Sequence, residues 1–338
     1  MQFSDKLKYA PLIALQLFTY IFEKSYHNHY LQMSEITNPH DKFFKASFSR
    51  LDVVQSFIEE VFPPEYRDNI NLNSLKLSNA TFIDNELSEH LADLVYQAEY
   101  AGEPALITLL FEHKSYQEDF PEGQLLRYMS NIWRDEQKQK KGKKRKNSTV
   151  VIPIIIHHGK SAWKKVSMRK QFGNPHQDLL KFLPEFDYLL FSLNDFSDVQ
   201  IANFKNTFLS TAAMLLKHSR DEKAKFLQLE AFLIEKIKAL DLAHENDFIG
   251  TIVYYLETVS NLTAKEIIII FTKVSTNVNN IVMTAYEEIR LEERENNTLN
   301  VLRNSIQNGI SVELVSKLLG ISVQKIEEMI NKLKTSNN

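Results

Sequence analysis

Residues 89–114 read EHLADLVYQAEYAGEPALITLLFEHK, and this stretch decides the fold. Its two apolar runs, residues 90–101 and 105–113, have the length and the aliphatic and aromatic content of strands. Gly102-Glu103-Pro104 between them is a turn sequence. The pattern predicts a β-hairpin whose open end holds Asp93 on one strand and Glu112 and Lys114 at the end of the other.

Two carboxylates and one ammonium group meet at this open end. Carboxylate oxygens suit a hard cation, and a bound cation polarises a phosphate oxygen and lowers the pKa of a bound water. We therefore predict that Asp93 and Glu112 bind Mg²⁺, with Mn²⁺ as the alternative ion. Side chains alternate along a strand, so Lys114 shares the face of Glu112 and can orient or deprotonate the attacking water. The alternative is that both acids are ordinary strand-end charges paired with nearby lysines.

A helix predicted from Pro121 to about Gln139 follows the hairpin. Gln124 and Tyr128 are four residues apart on it, and this spacing places both side chains on one helix face. An amide and a phenol at these positions can bind a phosphate or a base. We predict that both residues bind the substrate.

Periodic patterns around the hairpin define a small α/β core. Apolar residues recur at three- and four-residue intervals over residues 40–61, which predicts one helix that ends before Pro63-Pro64. Strands are expected at residues 75–84 and 149–157, the second a nearly continuous apolar run typical of a buried strand. The order α-β-β-β-α-β predicts a mixed sheet flanked by helices. From about residue 177 onward the pattern is almost wholly helical, which predicts an all-α C-terminal region.

Five segments in this order resemble one known protein family. They are Asn38–Lys45, Ala92–Tyr96, Leu109–Ser115, Gln124–Met129 and Pro153–Trp163. Asp93, then Glu112-x-Lys114, then Gln124-x-x-x-Tyr128 resembles the PD-(D/E)XK nuclease superfamily. More closely, the chain is similar to the Rpn family of recombination-promoting nucleases and transposase-like proteins. The resemblance covers roughly residues 37–191, with a weaker match in the C-terminal tail.

The resemblance implies a restriction-endonuclease-like fold and a metal-dependent DNA endonuclease that promotes recombination or accompanies mobile elements. Ala92 departs from the proline in the superfamily name, and Lys114 stands where many relatives carry Gln, which favours catalytic competence. The alternative function is a non-catalytic DNA-binding or transposition accessory protein with a vestigial site. A transposase strand-transfer reaction is a third reading, which the residues do not distinguish from hydrolysis.

Composition sets the broad class of the chain. Its 338 residues are 43% hydrophobic and 25% charged, which is typical of a soluble globular protein. It has no cysteine, which excludes disulfides, thiolate metal sites and cysteine nucleophiles, and which fits a reducing cytoplasm. The net charge of −3 gives no overall attraction to DNA, so the distribution of charge matters more. We predict a leader at 1–33, a nuclease core at 34–175, a helical region at 176–298 and a tail at 299–338.

The leader differs from the rest of the chain. Its apolar run, Pro11 to Phe22, is shorter than the ~20 residues that span a bilayer, and no small-residue signal-peptide cleavage site follows it. We expect Met33 to be the natural start, the leader to be an upstream extension or a poorly docked helix, and the protein to have no membrane partner. Intact-mass analysis of the native protein tests this expectation, which a retained leader would contradict.

Two further groups are candidates for contact with DNA. Lys143, Lys144 and Arg145 belong to a basic run at residues 138–146. Such a run can follow a DNA backbone, or it can be a solvated loop. His40 and Asp41 start the first predicted helix, where they either cap it or lend an acid or a phosphate contact to the site.

The tail has the spacing of a helix-turn-helix. Gly320 separates two helical patterns, and Ser322 stands at the cap position of the second. The second helix of such a module reads DNA, but Glu327 and Glu328 on it oppose an approach to phosphates. We therefore expect a small helical module that packs on the body, on a partner protein or on a second copy of the chain.

Overall fold

The computed structural model describes residues 39–78, 92–112, 120–139 and 148–335. The predicted leader, Lys114, and the basic residues Lys143, Lys144 and Arg145 lie outside these residues.

The strands are β1 (Ile70–Leu77), β2 (Ala92–Tyr100), β3 (Glu103–Glu112), β4 (Val150–His157) and β5 (Leu189–Ser192). The helices up to the last strand are α1 (Pro39–Phe48), α2 (Leu51–Val61), α3 (Pro64–Arg67) and α4 (Pro121–Gln139). The later helices are α5 (Asp198–Ala202), α6 (Thr207–His218), α7 (Lys223–Phe226), α8 (Glu230–Leu242), α9 (Asn246–Val259), α10 (Ala264–Thr272), α11 (Thr276–Gln307), α12 (Val312–Leu319) and α13 (Val323–Thr335).

The strands form one mixed sheet in the order β1-β2-β3-β4-β5. β1, β2 and β3 are antiparallel neighbours, whereas β3, β4 and β5 run parallel. The predicted hairpin is the β2–β3 pair, and its turn is Ala101-Gly102, with φ values of 49° and 85°. Positive φ at both turn residues matches the right-handed twist of the flanking strands. Glu103 and Pro104, expected in the turn, instead begin β3.

A different layer of helices covers each face of the sheet. Tyr96, Ile107 and Ile156 face the main apolar core, which α1, α2 and most helices after β5 complete. On the opposite face, Val95 and Ile155 pack against α4. The prediction of an α/β fold with a mixed sheet and a mostly helical C-terminal region is confirmed.

The single helix predicted for residues 40–61 is wrong, because two helices meet there. Arg50 is extended, with φ −78° and ψ 127°, and separates α1 from α2. Its guanidinium group lies 3.7 Å from the centroid of the Phe208 ring and pairs with Glu245 at 3.2 Å. These contacts come from distant parts of the chain, so the local apolar period could not reveal the break.

Two strand predictions also need correction. β1 begins at Ile70 and ends at Leu77, earlier than the predicted range of 75–84, and residues from 79 onward lie outside the described part of the chain. β5 lies within the region expected to be almost wholly helical. It has four residues, and it is a strand because it pairs with β4 rather than because of a local pattern.

The tail adopts the predicted helix-turn-helix spacing. Gly320 has φ 67° and ends α12, and Oγ of Ser322 accepts the backbone N–H of Lys325 at the start of α13. Both helices pack on the end of α11 through a separate small cluster, which contains Leu302, Val315, Ile326 and Met329. The predicted boundary between the helical region and the tail, at residues 298 and 299, lies inside the continuous helix α11. None of the helices in the described ranges combines the length and the apolar character that a bilayer crossing requires.

Candidate functional site

The backbone of the hairpin places Asp93 and Glu112 on neighbouring antiparallel strands. Asp93 is opposite Leu110, and Glu112 follows Leu110 by two residues. Neighbouring strands lie about 4.8 Å apart, so the two positions are close at the open end of the hairpin. The structure describes their backbone but not their side chains, and Lys114 is outside the described residues.

The same register assigns both positions to one face of the sheet. Val95, which follows Asp93 by two residues, packs on the α4 side. Because strand positions alternate between faces, the Asp93 position belongs to that side. Leu110 is paired with Asp93, and Glu112 follows Leu110 by two residues, so the Glu112 position belongs to the same side of the sheet. The two predicted metal ligands therefore occupy the α4 face at the carboxyl end of β3.

Gln124 and Tyr128 lie in the first half of α4, on this same side of the sheet. Tyr128 is buried in a cluster with Leu125, Ile155 and Tyr188, and Gln124 is half-buried. The far end of α4 is fixed to the start of β4, since Trp133 donates its Nε1–H to the Thr149 carbonyl at 2.9 Å. The helix is therefore held along its length over the face that carries Asp93 and Glu112. A role for Gln124 and Tyr128 in substrate binding stays a prediction.

His157 ends β4 directly beside Glu112 in the parallel register. Its side chain is buried, its Nδ1 lies 3.5 Å from Oγ of Ser192, and its ring meets Trp163 edge to face. Desolvation, and after it the charge of Arg220, lowers the pKa of His157, so the neutral imidazole is favoured. Its Nε2 is buried without a hydrogen-bond partner among the described residues. This packing gives His157 a structural role at a position that borders the proposed site.

Glu122, in the first turn of α4, is a buried acid that the sequence analysis missed. Tyr188 donates its O–H to Oε1 of Glu122 at 3.4 Å, and burial raises the pKa of Tyr188 to about 12. Oε2 of Glu122 has no hydrogen-bond partner in the part of the chain that the structure describes. An acid in a first turn is an ordinary helix-capping signal, and its burial follows from the tertiary packing.

His40 and Asp41 lie at the start of α1, on the face opposite α4. Nδ1 of His40 is 2.8 Å from the Tyr255 hydroxyl, and the His40 ring is 4.8 Å from the His158 ring. Asp41 is buried. His158 follows His157, so α1 reaches the carboxyl edge of the sheet but from the other layer. Their accessory role also stays a prediction.

The described residues contain no group of three His, Cys, Asp or Glu side chains that could hold a metal ion. A role for Asp93 and Glu112 as metal ligands stays a prediction, and their carboxylate oxygens are the donor type that Mg²⁺ prefers. Among the described residues near these positions, His157 is buried and favours a neutral imidazole, and Glu122 has a buried carboxyl group.

Comparison with known proteins gives a family and several relatives. Residues 38–246 match the family model described as "Putative transposase, YhgA-like". Over 123 residues the chain is 28% identical to the recombination-promoting nuclease RpnD of Escherichia coli O157:H7, covering 36% of this chain and 46% of that protein. It is 20% identical over 301 residues to RpnA of E. coli strain K12, a recombination-promoting nuclease, covering 88% and 98% of the two chains.

A third relative is the inactive recombination-promoting nuclease-like protein RpnE of E. coli strain K12. It is 25% identical over 190 residues, covering 56% of this chain and 61% of RpnE. Another relative is the recombination-promoting nuclease RpnC of E. coli strain K12. The matched region spans about half the length of RpnD and of RpnC. No solved structure matches the chain.

Proposed function

The chain belongs to the YhgA-like putative transposase family, and from that premise we propose that it is a Mg²⁺-dependent DNA endonuclease. Its relatives include proteins named recombination-promoting nucleases, so the family is nuclease-related. The observation that carries the proposal is the backbone register of β2 and β3. It brings Asp93 and Glu112 to adjacent strands, on one face and at one edge of the sheet.

In the proposed mechanism, Asp93 and Glu112 would hold the cation with carboxylate oxygens. Such a cation would stabilise charge at the scissile phosphate and make a nearby water more acidic. As an ammonium group, Lys114 would orient the attacking water and offset the charge that builds up on the phosphate; as a neutral amine, it would instead accept the proton of that water. The water oxygen bonds to phosphorus as the bond from phosphorus to the sugar oxygen breaks, and the released sugar oxygen takes up a proton from solvent.

The remaining proposed residues position the DNA strand. Gln124 and Tyr128 contact the strand next to the scissile bond, and Lys143, Lys144 and Arg145 bind backbone phosphates. Such phosphate contacts fix the register of a duplex without reading its sequence. DNA is the proposed substrate and partner, and recombination or the movement of mobile elements is the proposed setting.

A non-catalytic DNA-binding or accessory protein is the second candidate. The similarity to RpnE, which is named inactive, favours it. The Asp93, Glu112 and Lys114 set supports the nuclease instead, because a vestigial site has little reason to retain all three chemical groups.

Supercoiled-plasmid cleavage distinguishes the two candidates. We expect the parent protein to nick plasmid with Mg²⁺ but not with a chelator, and we expect Asp93→Ala and Lys114→Ala to lower the rate by about 100-fold or more. Asp68→Ala and Lys273→Ala are matched controls, since both side chains are exposed and neither residue belongs to the proposed site. Both controls should cut at the parental rate.

The outcomes separate the proposals. Equal nicking by the parent and by both site variants would show contamination and favour the accessory protein. Cleavage lost in Lys114→Ala but retained in Asp93→Ala would refute the assignment of Asp93 as a ligand. Circular dichroism of each variant confirms that lost cleavage does not reflect lost folding.

A further inference from the structure

A cleft of about 420 Å³ opens at the carboxyl edge of β4 and β5. Lys160 enters it from the turn after β4, and Asn194 enters it from the turn after β5. The opposite wall comes from the end of α6 and the loop that follows, where His218 and Asp221 lie. The cleft therefore lies between the turns that follow β4 and β5 and the end of α6, a helix that packs in the main core on the side of the sheet opposite α4.

Asp221 organises the positive groups of this cleft. Its side chain is 8% exposed, and its oxygens lie 2.5 Å from Nδ1 of His218, 2.9 Å from Nζ of Lys225 and 3.7 Å from Nζ of Lys160. Burial raises the pKa of Asp221, but the hydrogen bonds from His218 and Lys225 outweigh burial and hold it below its ordinary value. One ionised carboxylate thus gathers two lysines and a histidine.

His218 lies between two carboxylates in this arrangement. Its Nε2 lies 2.9 Å from Oδ1 of Asp198, while its Nδ1 faces Asp221. Both ring nitrogens are therefore in contact with carboxylate oxygens, which orient the ring. Asp198 also accepts from Lys217 at 2.7 Å.

The exposed positive charges of the cleft belong to its lysines. Lys160, Lys217 and Lys225 stand against the carboxylates of Asp198, Asp221 and the lining residue Glu222. The Asp221 carboxylate is buried, whereas the side chains of Lys160 and Lys225 are 63% and 60% exposed. An ammonium group has three donors, so both lysines retain donors toward the solvent side of the cleft. Asn194 donates to the Gly159 carbonyl and so fixes the turn that carries Lys160.

The cleft lies next to the proposed nuclease site. Arg220, the neighbour of Asp221, is close enough to His157 for its charge to lower the pKa of that ring. His157 is in turn paired with Glu112 across β3 and β4. The two sites therefore lie at the same edge of the sheet, where β3 and β4 are neighbouring strands.

We propose that this cleft binds a non-scissile phosphate of the DNA backbone, with Lys160 and Lys225 as its contacts. The proposal rests on the proposed function, because the ligand is the DNA that the neighbouring site would cleave. His218, Asp198 and Asp221 are positioning residues that hold the two ammonium groups at one anion. A phosphate held here fixes the strand relative to Asp93 and Glu112.

Binding of a labelled DNA duplex in the presence of a chelator tests this without cleavage. Anisotropy is measured between about 50 and 200 mM NaCl, where phosphate contacts change affinity steeply. For Lys160→Ala/Lys225→Ala we expect binding about tenfold weaker or more, the scale of charged hydrogen bonds. The slope of log affinity against log salt should fall by about 0.9 for the lost phosphate contact. Lys160→Arg/Lys225→Arg should keep the parental slope, and so should the control Lys238→Ala/Lys273→Ala, whose side chains are exposed and do not line the cleft.

Each outcome supports or overturns the proposal. A parental slope in the alanine variant, when the parent binds DNA, overturns the phosphate subsite and leaves the nuclease proposal standing. A parent that does not bind DNA overturns both. If inorganic phosphate stabilises the parent but not the variant while the DNA slope is unchanged, the ligand is a free phosphate compound and the backbone proposal is wrong. Lys160→Ala alone keeps the test decisive if the double variant unfolds, since this exposed lysine lies 3.7 Å from Asp221.

Discussion

Ionisable side chains in this protein differ in how burial affects them. His157 is buried beside the carboxyl end of β3 and favours its neutral form. His218 is also buried, and both of its ring nitrogens contact carboxylates. Burial disfavours the charged form of an ionisable group, whereas close opposite charges favour it. The two histidines therefore differ in their partners and not in their depth.

Glu288 on α11 gives a pH-dependent prediction at the residue scale. Desolvation raises its pKa to about 7, and its Oε2 is buried without a hydrogen-bond partner among the described residues. The unfolded chain loses this proton near pH 4.5, the ordinary value, while the folded protein keeps it until about pH 7. The Glu288 contribution to stability therefore falls as the pH rises from about 4.5 to about 7.

Replacing Glu288 by Gln removes this pH-dependent cost. Glu288→Gln changes the free energy of unfolding at each pH. We expect this change to be more stabilising at pH 8 than at pH 4 by about 1 to 3 kcal/mol. Thermal unfolding at the two pH values measures it. Glu287→Gln, at an exposed neighbouring position, is the matched control and should show no such difference. Equal effects of Glu288→Gln at both pH values would contradict the prediction.

At the element scale, the β2–β3 hairpin sets the geometry of the proposed site. Its turn has two residues, and Tyr100 is paired with Glu103 on either side of it. The turn therefore fixes the register, and the register fixes the positions of Asp93 and Glu112 at the other end. A slip of one residue would move one of these positions to the opposite face.

A substitution at Gly102 tests the turn. Gly102 has φ 85°, and a Cβ atom there would meet no atom within 4 Å, so its cost arises from the backbone and not from a clash. We expect Gly102→Ala to lower the free energy of unfolding by about 1 to 2 kcal/mol, the cost of a left-handed conformation for an L-residue. Ala101→Gly is the control, because its φ of 49° already favours glycine, and it should not destabilise the protein. Chemical denaturation measures both, and equal stability of Gly102→Ala and the parent would refute the type of turn.

At the scale of the whole molecule, the tail packs through its own apolar cluster. This cluster, which includes Leu302, Val315 and Ile326, is distinct from the main core. Leu314 and Leu318 on α12 are exposed at 50% and 69%. Such separation predicts that the tail contributes little to the folding of the rest.

Deletion of residues 308–338 tests this independence. We expect the truncated protein to keep its secondary structure and to unfold within about 2 °C of the parent, which for a chain of this size corresponds to under ~1 kcal/mol. Leu302→Gln in the truncated chain prevents the newly exposed side chain from causing aggregation. Calorimetry provides the measurement, and a midpoint lowered by more than about 5 °C would show that the tail supports the core. Unchanged plasmid cleavage is expected as well.

Local signals were sufficient for the hairpin, for α4 and for the tail helices. Two strand-length runs around a turn, a first-turn proline at Pro121 and a glycine at Gly320 act over a few residues, so the sequence reveals them directly. The same hairpin predicted that Asp93 and Glu112 are adjacent, and the register confirms their adjacency in the backbone. The hairpin pattern could not predict the contact between Glu122 and Tyr188, because those two residues are far apart in the chain.

Periodicity and turn chemistry are local properties, so the amino-acid sequence was enough to predict the order of the core strands and the positions of the two acids on neighbouring strands. Long-range contacts in the folded chain produce the break at Arg50, the pairing of β5 with β4, and the cleft in which Lys160 meets Asp221. Each of these depends on contacts between segments separated by tens of residues or more. Such contacts form only when the burial of apolar surface offsets the entropy of closing a long loop, and no local pattern records that balance.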